Sequence, residues 1–142
     1  MKIVVTGGAG FIGSHLVDEL VRTGNEVLVI DHYQREKLRF ENPSATIHKI
    51  SFGHESLEQI FAAERPDAVV HLAAQISVTA SIVDPLYDAQ RNILESLRLV
   101  QIAAKAGCHR FIFVSSGGAI YGDHPVRPTP LLDDAYPLSP YG

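Results

Sequence analysis

Three glycines, Gly7, Gly10 and Gly13, follow the first apolar run of the chain at regular spacing. The run, residues 3–5, is β-branched and predicts a buried parallel strand. Apolar residues then recur at helical spacing, so the glycines lie between a strand and a helix. At such a junction the N–H groups of the helix start face outward, and glycines let an anion approach the backbone. The spacing therefore predicts a site for a pyrophosphate group.

A carboxylate, Asp31, ends the second apolar run of the sequence, residues 26–31. An acidic residue about twenty positions after a glycine turn is suited to accept hydrogen bonds from an adenosine ribose. The alternative is that Asp31 opens a turn or caps a helix. Because the glycine turn precedes it, we favour the ribose role.

Five apolar runs alternate with helical patterns and would position these residues. We predict strands over residues 3–5, 26–31, 45–51, 67–74 and 110–114, and helices from Phe11 and over residues 56–65 and 85–106. Residues 32–45 predict a loop or a short helix. Such alternation implies right-handed β-α-β crossovers. The predicted fold is therefore α/β, a Rossmann-like doubly wound parallel sheet with strand order 3-2-1-4-5.

The apolar spacing also predicts the buried surfaces. All five strands are expected to be buried. Residues 1–122 would form a nucleotide-binding core, and residues 123–142 an irregular, proline-rich tail held by Leu131, Leu132, Tyr136 and Tyr141. The apolar positions of the first helix are Phe11, Ile12, Leu16, Val17, Leu20 and Val21, and those of the long helix are Ile93, Leu94, Leu97, Val100 and Ile102.

The carboxyl ends of the strands define the candidate site. Ligands of a doubly wound sheet bind across these ends at the switch point, here between strands one and four. The residues that fall there are the glycine turn, Asp31, Ser51, Phe52, Ala73, Ala74, Gln75, Ser115 and Ser116.

Composition restricts the class of protein. The 142 residues suffice for one domain, and a net charge of −4 without any block of like charge argues against a nucleic-acid binder. The single Cys108 excludes an internal disulfide and is interpreted as a packing residue. The seven histidines lack paired ligand spacing, so no metal is expected, and His71 is interpreted as a strand residue whose backbone matters. The absence of a leader or a membrane-length apolar run predicts a cytoplasmic protein that does not bind membranes.

Several motifs occur together, in one order along the chain: Thr6-Gly7-Gly8-Ala9-Gly10-Phe11-Ile12-Gly13, Asp31, His71-Leu72-Ala73-Ala74-Gln75, Asn92, Ser115-Ser116 with Tyr121-Gly122, and Ser139-Pro140-Tyr141-Gly142. This ordered set resembles the extended short-chain dehydrogenase/reductases, and among them the UDP-glucose 4-epimerase-like, NAD-dependent epimerases and dehydratases. The resemblance covers the whole chain.

The resemblance implies NAD as the cofactor. Gly7, Gly10 and Gly13 would form the pyrophosphate turn, and Asp31 would bind the ribose and disfavour the extra phosphate of NADP. The other implied cofactor-binding residues are Phe11, Ile12, His32, Ser51, Phe52, Leu72, Ala73, Ala74, Gln75, Asn92 and Ser115. Ser51 stands where the family often has an Asp that meets the adenine amino group. Glu95 and Ser96 stand where it often has Gly and Thr.

The resemblance also implies an acid/base pair of residues. Ser116, with Ser115 as a rival, would orient the sugar hydroxyl, and Tyr141 would take the proton from the sugar 4-hydroxyl as hydride passes to NAD. The family places a Lys four residues after the Tyr, which is three positions beyond Gly142. We therefore expect these 142 residues alone to have little activity, whereas the parent would be an NAD-dependent epimerase of UDP-hexoses. An open edge at the fifth strand further predicts self-association or a loose tail after Gly122.

Two alternatives remain open at this stage. One is a fragment of a nucleotide-sugar dehydratase, although Gly117-Gly118 replaces the acidic pair that such enzymes tend to carry. The other is a dinucleotide-binding module without turnover.

Overall fold

A computed structural model describes residues 1–32, 41–123, 128–130 and 134–142 of the chain. Most of the predicted loop or short helix over residues 32–45 lies outside the described residues, as do the predicted tail anchors Leu131 and Leu132. Among the described residues, no helix has the length and apolarity needed to cross a membrane.

The described strands form one parallel sheet in the order β3-β2-β1-β4-β5, which confirms the predicted topology. The strands are β1 (Lys2–Thr6), β2 (Glu26–Ile30), β3 (Thr46–His48), β4 (Ala68–His71) and β5 (Arg110–Phe113). Val4 of the central β1 lies opposite Leu28 of β2 and Val69 of β4. The β3 strand is shorter than the run of residues 45–51 that predicted it.

The helices connect these strands. They are α1 (Phe11–Arg22), α2 (Leu57–Glu64), α3 (Val78–Val83), α4 (Pro85–Ala89), a π-helical turn (Gln90–Leu94), α5 (Glu95–Lys105) and α6 (Gly117–Ile120). The prediction of one regular helix over residues 85–106 is wrong, because the π-helical turn interrupts it. The α3 helix was not predicted from the apolar pattern. It begins after Ser77, whose hydroxyl accepts the N–H of Ala80, and Asp84 caps α4 by accepting the N–H of Tyr87.

The chain consists of two compact units. Unit 1 consists of Met1–Ala74 and Glu95–Val114, and it contains the sheet with α1, α2 and α5. Unit 2 consists of Gln75–Leu94 and Ser115–Gly142, and it contains α3, α4, the π-helical turn and α6.

The core of unit 1 lies on both faces of the sheet, because successive residues of a strand point to opposite faces. Val4 packs on one face with residues of α2 and α5, including Phe61 and Leu99. Ile3 and Val5 pack on the other face with Val17 of α1. This arrangement explains why the strands are apolar on both sides.

Four predictions of burial are wrong. The short β3 strand contains no buried residue, although all five strands were expected to be buried. Phe11 and Ile12 are 72% and 66% exposed, although they open the apolar pattern of α1. In β5, the last strand in the order of the described sheet, Ile112 and Phe113 are more than half exposed. The buried face of α5 consists of Ser96, Leu99, Ile102 and Ala103, whereas Leu97 and Val100, and Ile93 and Leu94 of the preceding π-helical turn, are exposed. A π-helical turn carries more residues per turn than an α-helix, so one 3.6-residue period cannot describe residues 85–106.

Candidate functional site

The glycine turn of unit 1 closes the end of β1. Gly7 has a φ of +71°, and a Cβ on it would lie 2.9 Å from the backbone nitrogen of Ala73. A Cβ on Gly13 would collide with the carbonyl oxygen of Gly7. The first turn of α1 therefore packs directly on the loop, with its N–H groups at an open helix end that has no acidic residue. Such an end is suited to bind an anion.

Asp31 lies directly after β2, beside this turn. Its Oδ2 accepts a hydrogen bond from the backbone N–H of Ala9 at 3.1 Å. The side chain of Asp31 is only 15% exposed, and Nδ1 of the more exposed His32 lies 3.9 Å from Oδ1. The structure therefore brings the predicted carboxylate and the predicted phosphate turn together.

His71 connects three elements of unit 1 beneath the strand ends. Its Nδ1 is 2.6 Å from Oγ1 of Thr6, and its Nε2 is 2.9 Å from Oγ of Ser96. Oγ1 of Thr6 also accepts the N–H of Ala73 at 3.2 Å. His71 lies in a strand, as predicted, and its side chain also connects β4 to β1 and α5, which the prediction did not include.

The imidazole of His71 is neutral at physiological pH. Its ring is buried against Phe52, with ring centroids 4.9 Å apart, and also faces Phe111 and Phe113. This burial lowers the pKa of His71 from 6.5 to about 4 because the charged form loses its hydration. A neutral imidazole has one donor and one acceptor nitrogen, and the hydroxyls of Thr6 and Ser96 can satisfy both.

The loop after β3 contains two of the predicted cofactor-binding residues, Ser51 and Phe52. Oγ of Ser51 accepts the N–H of Gly53, and the side chain of Phe52 is buried in the core, so only the backbone of Phe52 is available to a ligand. The α5 helix holds this loop in place. Nη1 of Arg98 donates to the carbonyl oxygen of Gly53 at 2.9 Å, and the carboxylate of Glu95 packs against Gly53.

Asn92 of unit 2 binds the backbone of Gln75 in both directions. Its Oδ1 accepts the N–H of Gln75 at 2.8 Å, and its Nδ2 donates to the carbonyl oxygen of Gln75 at 2.9 Å. The buried Asp88 accepts hydrogen bonds through Oδ1 from Nδ2 of Asn92 and Nε2 of Gln75. Asn92 therefore fixes the segment that follows Ala74 in the sequence.

Unit 2 also contains the predicted acid/base residues. Ser115 is exposed, whereas Ser116 is half-buried at the start of α6 and makes no side-chain capping bond to that helix. Residues 136–142 pack against α6. The N–H of Tyr136 donates to the carbonyl oxygen of Ile120. A Cβ added to Gly142 would lie 2.8 Å from the carbonyl oxygen of Ala119. The side chain of Tyr136 itself is exposed, so the prediction that it anchors the tail is wrong. Tyr141 is half-buried within this segment.

Three contributors to the site were not singled out from the sequence: Asp88, Arg98 and Ser81, whose Oγ accepts the N–H of Tyr141. Asp88 lies four residues before Asn92 on a helical segment, so its position could have indicated the pair. The other two act through contacts between elements that are distant in sequence, and no local pattern marks them.

Cys108, which was interpreted as a packing residue, is partly buried and hydrogen-bonded. Sγ of Cys108 donates to the carbonyl oxygen of Pro66 at 2.9 Å, and burial, followed by the nearby Asp67, raises the pKa of its thiol. Over the described residues, no three His, Cys, Asp or Glu side chains form a group that could hold a metal ion.

Comparisons with known proteins give one family and several close structural matches. The model of the NAD dependent epimerase/dehydratase family matches residues 3–142. The UDP-glucose 4-epimerase of Mycolicibacterium smegmatis is 37% identical over 146 residues, which cover 99% of this chain and 47% of that protein. The chain therefore spans slightly less than half the length of this relative.

Two solved structures show the same fold. The UDP-glucose 4-epimerase of Thermotoga maritima, solved with UDP-glucose, is 46% identical with a TM-score of 0.91, and the match covers 100% of this chain and 47% of the other. The UDP-glucose 4-epimerase of Thermus thermophilus, solved with NAD, is 38% identical with a TM-score of 0.90, and the match covers 99% of this chain and 46% of the other.

Proposed function

Because the chain belongs to the NAD-dependent epimerase/dehydratase family, we propose that it is the NAD-binding portion of a nucleotide-sugar epimerase. The cofactor is NAD. For the whole protein we propose UDP-glucose and UDP-galactose as substrates, supported by the likeness to a UDP-glucose 4-epimerase that was solved with UDP-glucose.

The fit of the glycine turn to a pyrophosphate is the observation that carries this proposal. A side chain at Gly7 or Gly13 would fill the space where the turn meets Ala73 and the start of α1. The N–H groups of Phe11, Ile12 and Gly13 open α1, and Gly10 precedes them as the N-cap. A diphosphate placed there would receive several N–H donors and the positive end of the helix dipole.

Asp31 would select NAD over NADP. Its carboxylate lies beside the turn at the end of β2, where the ribose of a dinucleotide binds in such folds. A carboxylate accepts hydrogen bonds from two ribose hydroxyls but repels a 2′-phosphate. His32 would border the same ribose, and Ser51 with the backbone of Phe52 would border the adenine.

The remaining cofactor contacts come from residues that follow β4 and β5. Leu72, Ala73 and Ala74 would line the cofactor with small or apolar surface. Gln75 would contribute through its backbone, which Asn92 holds on both sides, so Asn92 acts indirectly. Ser115 is the further cofactor-side candidate.

The reaction that we propose is proton removal from the sugar 4-hydroxyl by Tyr141. Ser116 would hold that hydroxyl in place, and Ser115 is the alternative residue for this role. Bound NAD supplies reversible hydride exchange at sugar C4. Tyr141 would hold the proton during this exchange and return it to the same oxygen. The half-buried position of Ser116, at the start of the α6 helix that residues 136–142 contact, supports the assignment.

Gly117-Gly118 favours an epimerase over a dehydratase, because it leaves no acidic pair after Ser116. A turnover assay distinguishes the two alternatives that remain for a polypeptide of these residues, an enzyme and a dinucleotide-binding module without turnover. We propose that the 142 residues alone bind NAD and turn over UDP-galactose at least about 10²-fold more slowly than intact relatives, because they lack the Lys that the family places four residues after the Tyr, and acid/base catalysis typically contributes at least that factor.

The test is calorimetric titration of the purified 142-residue polypeptide with NAD, followed by a UDP-galactose turnover assay. Binding without comparable turnover is expected. Failure to bind NAD would overturn the binding function, and turnover at the rate of intact relatives would overturn the proposed inactivity.

We further propose that this polypeptide self-associates. Ile112, Phe113 and Val114 expose apolar surface at the end and edge of the sheet, and such strands tend to pair or to cluster. Light scattering that gives the mass of one chain across the micromolar range would contradict this proposal.

A further inference from the structure

The backbone of Tyr141 is bound by a buried hydroxyl from a different helix. Within unit 2, the N–H of Tyr141 donates to Oγ of Ser81 at 3.2 Å. Ser81 lies in α3, sixty residues earlier in the chain, and has no exposed surface. This hydrogen bond connects the candidate acid/base residue to the segment after β4.

The hydroxyl of Ser81 is arranged as an acceptor for this bond. Its Oγ donates to the carbonyl oxygen of Val78, one turn earlier in α3, at 2.7 Å. Because a serine hydroxyl carries one proton, this donation leaves only the lone pairs of Oγ for other partners. The N–H of Tyr141 is such a partner.

The turn that contains Tyr141 closes through the next N–H group. The N–H of Gly142 donates to the carbonyl oxygen of Ser139 at 3.1 Å and lies 3.4 Å from Oγ of the same residue. The N–H of Tyr141 lies inside this turn and takes its acceptor from a different helix, at Ser81.

We propose that Ser81 is a positioning residue for Tyr141. It fixes the backbone from which the phenol projects, while α6 supports the same turn through the contact of Gly142 with the carbonyl oxygen of Ala119. The inference rests on the proposed role of Tyr141, but the hydrogen bond itself can be tested without cofactor or substrate.

The experiment measures amide hydrogen exchange of Tyr141 by NMR in the 142-residue chain and in two variants at Ser81. In Ser81→Ala we expect the protection of the Tyr141 amide to fall by roughly fivefold or more, the factor that about one net hydrogen bond provides. Ser81→Thr retains the hydroxyl and is expected to restore the protection. Circular dichroism establishes that both variants are folded.

Ser77→Ala is the matched control, because it removes a serine hydroxyl from the same helix, where it caps the N–H of Ala80. It should accelerate exchange at Ala80 and leave Tyr141 protected. Unchanged exchange of Tyr141 in Ser81→Ala, equal acceleration in Ser77→Ala, or no rescue by Ser81→Thr would overturn the inference. A chain that failed to bind NAD would overturn the proposed function instead, since the exchange measurement contains no NAD.

Discussion

Oδ2 of Asp31 accepts a hydrogen bond from the backbone N–H of Ala9 at 3.1 Å, and this bond joins the end of β2 to the glycine turn after β1. The residue proposed to bind the ribose therefore also holds the turn proposed to bind the pyrophosphate. The sequence offered two roles for Asp31, a ribose ligand or a residue that opens a turn or caps a helix. The bond to Ala9 is a third role, which is compatible with ribose binding.

Asp31→Ala should weaken NAD binding by roughly 10- to 100-fold, because hydrogen bonds to a charged group contribute about 1.5–3 kcal/mol. Asp31→Asn keeps an acceptor for Ala9 and should weaken binding less, while reducing the preference for NAD over NADP. Calorimetry with both dinucleotides measures these effects. Asp18→Asn, which removes an exposed carboxylate from α1, is the control and should bind like the unmodified chain. An unaltered NAD to NADP ratio in Asp31→Asn would refute the charge argument.

Gly13→Ala should lower the free energy of unfolding by about 1–3 kcal/mol, since the added methyl group would overlap the carbonyl oxygen of Gly7 and force the turn apart. It should also abolish measurable NAD binding. Urea denaturation and calorimetry check the two results. Gly117→Ala adds a methyl group where no atom lies within 4 Å, so its stability should change little. Equal effects of the two substitutions would contradict the packing argument.

The sheet could be predicted from the sequence because buried parallel strands are apolar on both faces. The runs at residues 3–5, 26–31 and 67–74 therefore stood out, and their order followed from the handedness of the connections. The register of the helix before α5 could not be predicted, because the π-helical turn shifts the apolar period at Gln90–Leu94. The exposure of Phe113 could not be predicted from the sequence either, because the outermost strand β5 is as apolar as the buried central strands.

The candidate site was predictable where a local motif carries it and hidden where it depends on tertiary contacts. The glycine turn and Asp31 are such motifs. The hydrogen bond between His71 and Ser96 is not, because it joins residues 25 positions apart that become neighbours only in the folded chain. The same holds for Glu95, whose carboxylate packs against Gly53 of the loop after β3.

Asn92→Asp should destabilise the chain by about 1–3 kcal/mol at pH 7, because the carbonyl oxygen of Gln75 loses its donor and a second carboxylate faces the buried Asp88. Two carboxylates at this separation repel, and a proton taken up by either relieves the repulsion. The loss relative to the unmodified chain should therefore shrink as the pH falls from 7 to 4. Asn92→Ala also removes the donor to Asp88 but introduces no charge, so its loss should shrink less over this range than that of Asn92→Asp in urea denaturation. An equal pH dependence of the two variants would exclude the repulsion.

His71 should make the chain less stable as the pH falls from 6.5 towards 4. Burial lowers its pKa from 6.5 to about 4 in the folded chain, so over this interval the unfolded chain takes up a proton that the folded chain does not. The stabilisation is complete above pH 6.5, is lost progressively on acidification, and amounts to roughly 3 kcal/mol between the two limits. His71→Gln cannot titrate, and the difference between the two chains in urea denaturation removes the contributions of the other histidines and the carboxylates. That difference should be greatest at pH 7 and shrink towards pH 4. If it were independent of pH, the ring of His71 would be accessible to protons in the folded chain, and the buried connection between Thr6 and Ser96 would not hold it neutral.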